Sequence, residues 1–265
     1  MAKVTRSTAD GVCVLTLCEP PANTYSYEMM QELDACILEA RMDSSVHVIV
    51  LIGSGEKFFC AGAGIGMLKD ATPEYKYYFC LHANETLNRL EQTPKLVIAA
   101  LNGHTVGGGL EVALAADLRI ARKDAGKIGL PEVALGVLPG TGGTQRLARL
   151  LGKGRAMELL ISGRLMTMDE ALAIGLVSEV WGDGELKGRT FTDAVVAYAK
   201  TFTPPHKASL AVGRIKRAVQ SGPEAGFGEG LAMERELQQL LFQSHDAKEG
   251  IAANLEKRTP QFKGK

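Results

Sequence analysis

The chain has 265 residues, 46% of them hydrophobic and 23% charged, with 30 Lys and Arg balanced by 30 Asp and Glu for zero formal net charge. A chain of this size buries a large core without disulfide staples, and its balance gives no overall electrostatic case for nucleic acid or an anionic membrane. The five cysteines, Cys13, Cys18, Cys36, Cys60 and Cys80, form no CxxC pair, which argues against a disulfide framework or a zinc site.

The N-terminal MAKVTRSTADGV lacks the apolar core of a signal peptide, and no run reaches the roughly 18 apolar residues of a membrane span. A cytoplasmic enzyme or binding protein is the expected class. Val12 to Leu17 reads as a strand, closed by Glu19-Pro20-Pro21. Tyr27 to Arg41 carries Met30, Leu33, Cys36, Ile37 and Ala40 at helical spacing. Val46 to Ile52 is a β-branched run before Gly53-Ser54-Gly55, which predicts a buried strand. A helix over 81–91 and a strand over 95–101 follow, ending at Asn102-Gly103. This alternation predicts an α/β core with strands buried on both faces. After Gly154 the pattern is mostly helical, with helices expected near 154–161, 168–174, 190–202, 206–220, 226–243 and 246–256.

Three of the glycine-rich stretches are candidate ligand cradles. Cys60-Ala61-Gly62-Ala63-Gly64-Ile65-Gly66 fails the dinucleotide fingerprint, because Met67 occupies its last position and no strand runs directly into it. Asn102 to Glu111 carries Gly107-Gly108-Gly109 ahead of an apolar helix, Leu110 to Ala116. Glycines there let the backbone approach a ligand, and the first N–H groups of a helix make a seat for a developing oxyanion. Tight strand-to-helix packing is the alternative. Leu138 to Arg146 precedes an amphipathic helix and reads as helix entry and backbone packing ahead of phosphate binding.

Two acids stand out. Glu111 lies one turn into the helix that the glycines open, and Glu132 follows Pro131 in an apolar stretch. A carboxyl in such surroundings loses solvation and holds its proton more tightly, as neutral-pH acid–base chemistry requires. The alternative is that each is partly exposed or pairs with a cation such as Arg119 or Arg146. His104 is the only histidine near these residues and reads as structural or as part of an acyl pocket. No GxSxG is present.

Phe59-Cys60-Ala61-Gly62-Ala63, Ala100 to Glu111, Gly129-Leu130-Pro131-Glu132 through Gly136, and Pro139 to Leu147 together resemble the crotonase, or enoyl-CoA hydratase/isomerase, family. The resemblance covers nearly the whole chain. It implies a crotonase-like α/β spiral of ββα units over about residues 1–200, then a C-terminal helical region, 201–265, used for trimer assembly and part of the CoA site. It implies a homotrimer or homohexamer acting on an acyl-CoA. By the same carry-over, the backbone N–H groups of Ala63 and Gly108 form an oxyanion hole. Glu132 gives a proton to Cα while Glu111 orients water. Ala61, Gly64, Ile65 and Gly66 line the CoA arm. Coenzyme A is part of the substrate, and no metal or redox cofactor is implied. The chain departs from the family pattern at Gly64, where Asp or Asn is usual, and near Gly66, where a basic residue is missing; Lys69 and Lys257 are then candidates for the CoA phosphates. Retention of both glutamates points to hydration of a trans-2-enoyl-CoA. An isomerase, or a hydratase or hydrolase of a specialised cyclic or aryl acyl-CoA, is the alternative. A non-catalytic acyl-CoA or RNA-binding relative is the reading from a different class.

Overall fold

The apolar runs of the first half become neighbouring strands of one sheet. The structure, a computed structural model, describes residues 2–265, apart from the side chains of Ile65 and Leu68. β1 (Val4–Ala9) and β2 (Val12–Leu17) form an antiparallel hairpin around Asp10-Gly11, both with positive φ, as a two-residue hairpin turn requires. β1 has no apolar run to announce it: Ser7 and Thr8 are exposed, and Arg6 is half-buried against Asp43. α1 (Tyr27–Met42) is capped by the Ser26 side chain, which accepts from the Met29 N–H, and buries Met30, Leu33, Ile37 and Ala40.

The chain then winds in repeating turns. β3 (Val48–Gly53) and β4 (Phe58–Cys60) lead into α2 (Ile65–Asp70) and α3 (Pro73–Glu91). β5 (Leu96–Leu101) and β6 (His104–Val106) lead into α4 (Gly108–Leu114). β7 (Leu118–Arg122) and β8 (Ile128–Gly129) lead through a 3-10 turn, Glu132–Leu135, to α5 (Gly143–Leu151) and α6 (Lys153–Ser162). α7 (Met168–Ala173), β9 (Glu179–Trp181), α8 (Asp183–Leu186) and α9 (Phe191–Lys200) complete the next turn. Each of the first three turns gives one strand to each of two sheets. The larger has the order β1-β2-β3-β5-β7-β9 and is parallel from β2 onward; the smaller is β4-β6-β8, all parallel. This is the spiral of ββα units that the resemblance implies.

Strand alternation divides the core. Val48, Val50, Ile52, Ile98 and Ala100 pack on Trp181, Phe191 and Val195. Ile49, Leu51, Val97 and Ala99 face the other way, toward Met29, Leu33, Phe79 and Leu87. The two sheets meet closely at glycines. A Cβ on Gly53 would lie 2.3 Å from the Phe58 carbonyl oxygen, and one on Gly103 would lie 2.3 Å from the Lys57 carbonyl carbon. Asn102 stitches these turns together: its Nδ2 donates to the carbonyls of Gly53 (2.9 Å) and Gly55 (2.7 Å), and its Oδ1 accepts from the Gly53 N–H.

Three helices close the chain: α10 (Ser209–Ser221), α11 (Phe227–Phe242) and α12 (His245–Leu255). α10 lies against the core, where a Cβ on Gly213 would fall 2.2 Å from the Pro94 carbonyl oxygen. The helices expected in the second half match α6, α7, α9, α10, α11 and α12 to within three residues at each end. Elsewhere the boundaries move. α3 begins at Pro73 rather than at 81, because Thr72 caps it and Pro73 suits the first turn. Its early residues Tyr75, Tyr77 and Tyr78 are exposed, so their apolar rings hid the helical period. β3 begins at Val48 rather than Val46, and α4 spans Gly108–Leu114 rather than 110–116. Among the described residues no helix is long and apolar enough to cross a membrane.

Candidate active site

The second turn ends in the tightest backbone of the molecule. Gly107 has φ +58° and ψ −132°, a conformation open to glycine. A Cβ on Gly109 would stand 1.9 Å from the Cys60 carbonyl oxygen, and one on Gly108 would stand 2.1 Å from the Tyr25 ring. The first turn arrives beside it: Gly62, φ +78°, would place a Cβ 2.7 Å from the Gly108 nitrogen. The loop after β4 and the start of α4 are thus brought together, and with them Ala63 and Gly108. Neither the Ala63 nor the Gly108 N–H donates to a protein acceptor among the described residues. Two uncommitted N–H groups at adjoining loop and helix ends can receive a partial negative charge.

Tyr25 holds this meeting point. Its N–H donates to the Gly62 carbonyl at 3.0 Å, and Tyr25 and Ala63 form an isolated parallel bridge. Its ring is buried and stacks on Phe79 at 5.6 Å between centroids. Its hydroxyl lies 3.2 Å from the Thr141 hydroxyl. Burial, with the Glu111 carboxylate nearby, pushes the Tyr25 phenol well above its ordinary range, so it stays neutral. No sequence signal marks Tyr25, which sits alone in a short loop.

Glu111 is buried in α4, and every partner of its carboxyl is a donor. Oε1 accepts from the N–H groups of Thr141 (2.8 Å) and Gly143 (2.7 Å), and Oε2 accepts from the Thr141 hydroxyl. Gly143 is the first residue of α5. The third glycine stretch therefore does bind an anion, but the anion is the protein's own carboxylate at a helix N-terminus. The stretch also serves as helix entry, as its sequence implied. Thr141 is the site residue that sequence reasoning passed over within it.

Glu132 opens the 3-10 turn after β8. Gly107 lies between the two acids: its carbonyl accepts the Glu111 N–H at 3.2 Å, and a Cβ on it would come 3.0 Å from Glu132 Oε1. Glu132 Oε2 is buried and has no protein hydrogen-bond partner among the described residues. Desolvation, reinforced by the Glu111 charge, lifts the Glu132 pKa from 4.5 to about 7. One acid is thus tied down by three donors, and the other is untied and poised to hold or release a proton near neutrality.

Among the described residues, neither glutamate makes the arginine pair of the alternative reading. Arg119 donates to the carbonyls of Leu176 (2.7 Å) and Ala116 (2.8 Å), and Arg146 pairs with Glu91 at 2.9 Å. His104 is structural: its Nδ1 accepts the Lys127 N–H at 3.0 Å, and its ring lies against Phe58. Cys60 is buried, which pushes its thiol up to about 12 and leaves it inert. Ala61 donates its N–H to the Ala22 carbonyl. Gly64 caps α2 and Gly66 lies within it; a Cβ on either meets nothing within 4 Å. Position 64 therefore has room for a Cβ, and packing among the described residues does not require the glycine. Ile65 begins α2, and its side chain lies outside the described residues.

Comparison with known proteins places the fold in a family. The chain matches the enoyl-CoA hydratase/isomerase family over residues 7–265. A probable enoyl-CoA hydratase of Bacillus subtilis is 40% identical over 257 residues, 96% of this chain and 95% of the relative. A short-chain-enoyl-CoA hydratase of Clostridium acetobutylicum is 38% identical, with 93% and 92% covered. The crystal structure of an enoyl-CoA hydratase from Geobacillus kaustophilus is similar with a TM-score of 0.95 at 45% identity, covering 100% of this chain and 98% of the other. Sequence motifs, the two-sheet spiral and whole-length similarity converge: this chain belongs to the enoyl-CoA hydratase/isomerase family.

Proposed function

We propose that the protein hydrates a trans-2-enoyl-CoA to the 3-hydroxyacyl-CoA. The observation that carries this reading is the contrast between the two acids: Glu111 held by Thr141 and Gly143, Glu132 untied with a pKa near 7. In this reading the thioester oxygen sits against the N–H groups of Ala63 and Gly108. These donors stabilise the enolate that develops as water attacks. Glu111 orients the water and takes up its proton while the hydroxyl adds to Cβ. Protonated Glu132 gives its proton to Cα. A proton passes back to Glu132 before the next cycle, so the sum is substrate plus water. The reading assigns no step to a metal or redox cofactor.

Ala61, Gly64, Ile65 and Gly66 are proposed to flank the CoA arm, with Lys69 or Lys257 near its phosphates. The helices after about residue 200 are proposed to assemble a homotrimer or a dimer of trimers. Support comes from the exposed apolar side chains Ile215, Val219, Phe227 and Phe242 on them. An isomerase needs only one acid to carry a proton across the chain, and the three bonds that hold Glu111 favour a second acid with its own task.

The test is loss of the conjugated-thioester absorbance of crotonyl-CoA, with the wild type and Glu132→Gln side by side. The expected result is rapid loss in the wild type and a rate about 10²–10⁴ lower in the variant. An unchanged kcat in Glu132→Gln overturns the assignment of Glu132. Double-bond migration without hydration identifies an isomerase.

A further inference from the structure

Resting on the hydratase reading, we infer that Lys76 selects an enoyl-CoA whose acyl chain ends in a carboxylate. Lys76 is half-buried in α3, and among the described residues it makes no salt bridge. Its Nζ stands 5.1 Å from the centroid of the Phe79 ring, and that ring stacks on Tyr25, whose own ring covers Gly108. One turn further along α3, Cys80 reaches the third glycine stretch: a Cβ on Gly140 would lie 2.9 Å from its Sγ. Asn84, another turn on, donates to the Gly140 carbonyl at 3.4 Å. The face of α3 that carries Lys76 therefore walls the site beside Thr141, the residue that holds Glu111.

Position along the substrate follows from the chemistry. The thioester oxygen is fixed at Ala63 and Gly108, and the two glutamates flank Cα and Cβ. In this inference the carbon beyond Cβ runs past the acids, along the wall formed by Cys80 and Gly140. Lys76 is the cation on that wall, and a plain alkyl chain gives it no partner. A carboxylate at the chain end does.

The electrostatics make the same point. Lys76 lowers the proton affinity of Glu132, opposing the desolvation that raises it. A cation acting this way shrinks the fraction of Glu132 that holds a proton near neutral pH. A substrate carboxylate beside Lys76 offsets that charge when the site is full. The charged end and the proton-donating acid thereby support each other.

The test compares kcat/KM for trans-2-enoyl-CoA esters ending in a carboxylate with esters of equal length ending in a methyl group. The wild type, Lys76→Met and Lys76→Arg are measured on both. The expected result is a wild-type preference for the carboxylate of about tenfold or more. Lys76→Met removes that preference, and Lys76→Arg retains most of it. A wild type that hydrates crotonyl-CoA yet shows no preference overturns this inference and leaves the hydratase reading standing. An equal loss on both ester types in Lys76→Met also overturns it, and places Lys76 at the CoA phosphates or in the control of Glu132. Turnover of neither ester by the wild type overturns the hydratase reading and this inference together.

Discussion

Gly143 donates its N–H to Glu111 Oε1 at 2.7 Å across 32 positions of sequence. The bond joins the first turn of α4 to the N-terminus of α5. A Cβ on Gly143 would crowd that same oxygen at 3.0 Å, so the glycine lets the donor approach closely. The arrangement fixes the direction of a buried carboxylate mainly with backbone N–H groups, at the positive end of a helix. Only the hydroxyl of Thr141 adds a side chain to the clamp. This division suggests how to weaken Glu111 without removing it.

Thr141→Val deletes the hydroxyl that donates to Glu111 Oε2 and leaves both N–H donors in place. The carboxylate is then held at Oε1 alone, and Oε2 is no longer fixed. The expected cost in kcat for crotonyl-CoA is about 10- to 100-fold, typical of a misplaced catalytic group. KM should change less. The Tyr25 hydroxyl also loses its partner in the core, which costs about 1–3 kcal/mol of stability. Thr141→Ser should restore both losses. Steady-state kinetics and urea midpoints on the three proteins check this, and a Thr141→Val enzyme with wild-type kcat removes Thr141 from the positioning role.

The pH dependence follows from Glu132. If Glu132 is the proton donor proposed above, kcat/KM for hydration should fall as pH rises through about 7, the pKa that burial gives it. The reverse dehydration starts from the same singly protonated acid pair and the overall reaction is proton-neutral, so its kcat/KM should fall over the same range. For stability the sign is fixed by a folded pKa above the unfolded value. There is no penalty below about 4.5, a growing one between 4.5 and 7, and the full penalty above 7. In a dry site that shift is worth about 3 kcal/mol, and partial exposure screens it to on the order of 1–2 kcal/mol. Glu132→Gln should therefore match wild-type stability near pH 4.5 and exceed it at pH 8. Urea titrations at the two values decide this; a variant less stable than wild type at pH 8 contradicts the buried-acid account.

Much of this was readable in the sequence, and the limits have physical causes. The spiral's large sheet was visible at Val12–Leu17, the run ending at Ile52, and Leu96–Leu101, because strands buried on both faces are continuous apolar runs. The small sheet was invisible, since β4, β6 and β8 are two or three residues long and leave no period to detect. Glu111 and Glu132 stood out because acids in apolar surroundings are unusual. Their different tethering was not, since the partners of Glu111 come from residues 141 and 143, beyond any local pattern. Tyr25 was missed for the same reason: its role depends on Gly62, Gly108 and Thr141 arriving from three separate turns.

Gly108 should not accept a side chain even where catalysis is not measured. An alanine Cβ would meet Tyr25 at 2.1 to 2.4 Å, and that ring is fixed between Phe79 and the Thr141 hydroxyl. The expected loss for Gly108→Ala is about 1–3 kcal/mol from overpacking. Tyr25→Leu frees the space at its own cost. In the double variant the two losses should fall short of their sum by about 1 kcal/mol or more, as for residues in direct contact. Strictly additive unfolding energies would show that the ring is not the obstacle.

A buried ion pair joins α10 to the sheet end, and its removal tests how that helix is held. Lys216 Nζ lies 2.8 Å from Asp117 Oδ2, with the side chains 6% and 13% exposed. Asp117 also accepts the Val97 N–H at 2.7 Å, and Lys216 donates to the Lys95 carbonyl at 3.1 Å. Burial raises the Asp117 pKa and lowers that of Lys216 despite their mutual attraction. Desolvation therefore outweighs pairing on both sides, the situation in which an ion pair adds little net stability while either charge alone is costly. Lys216→Met should destabilise by about 3–5 kcal/mol, because Asp117 is left charged and unpaired. Adding Asp117→Asn should recover most of that loss: the amide keeps an oxygen for Val97 and carries no charge to desolvate. Guanidinium unfolding of the two variants separates the cases. If the double variant is no better than Lys216→Met, the pair itself, and not the stranded charge, is what holds α10 against the core.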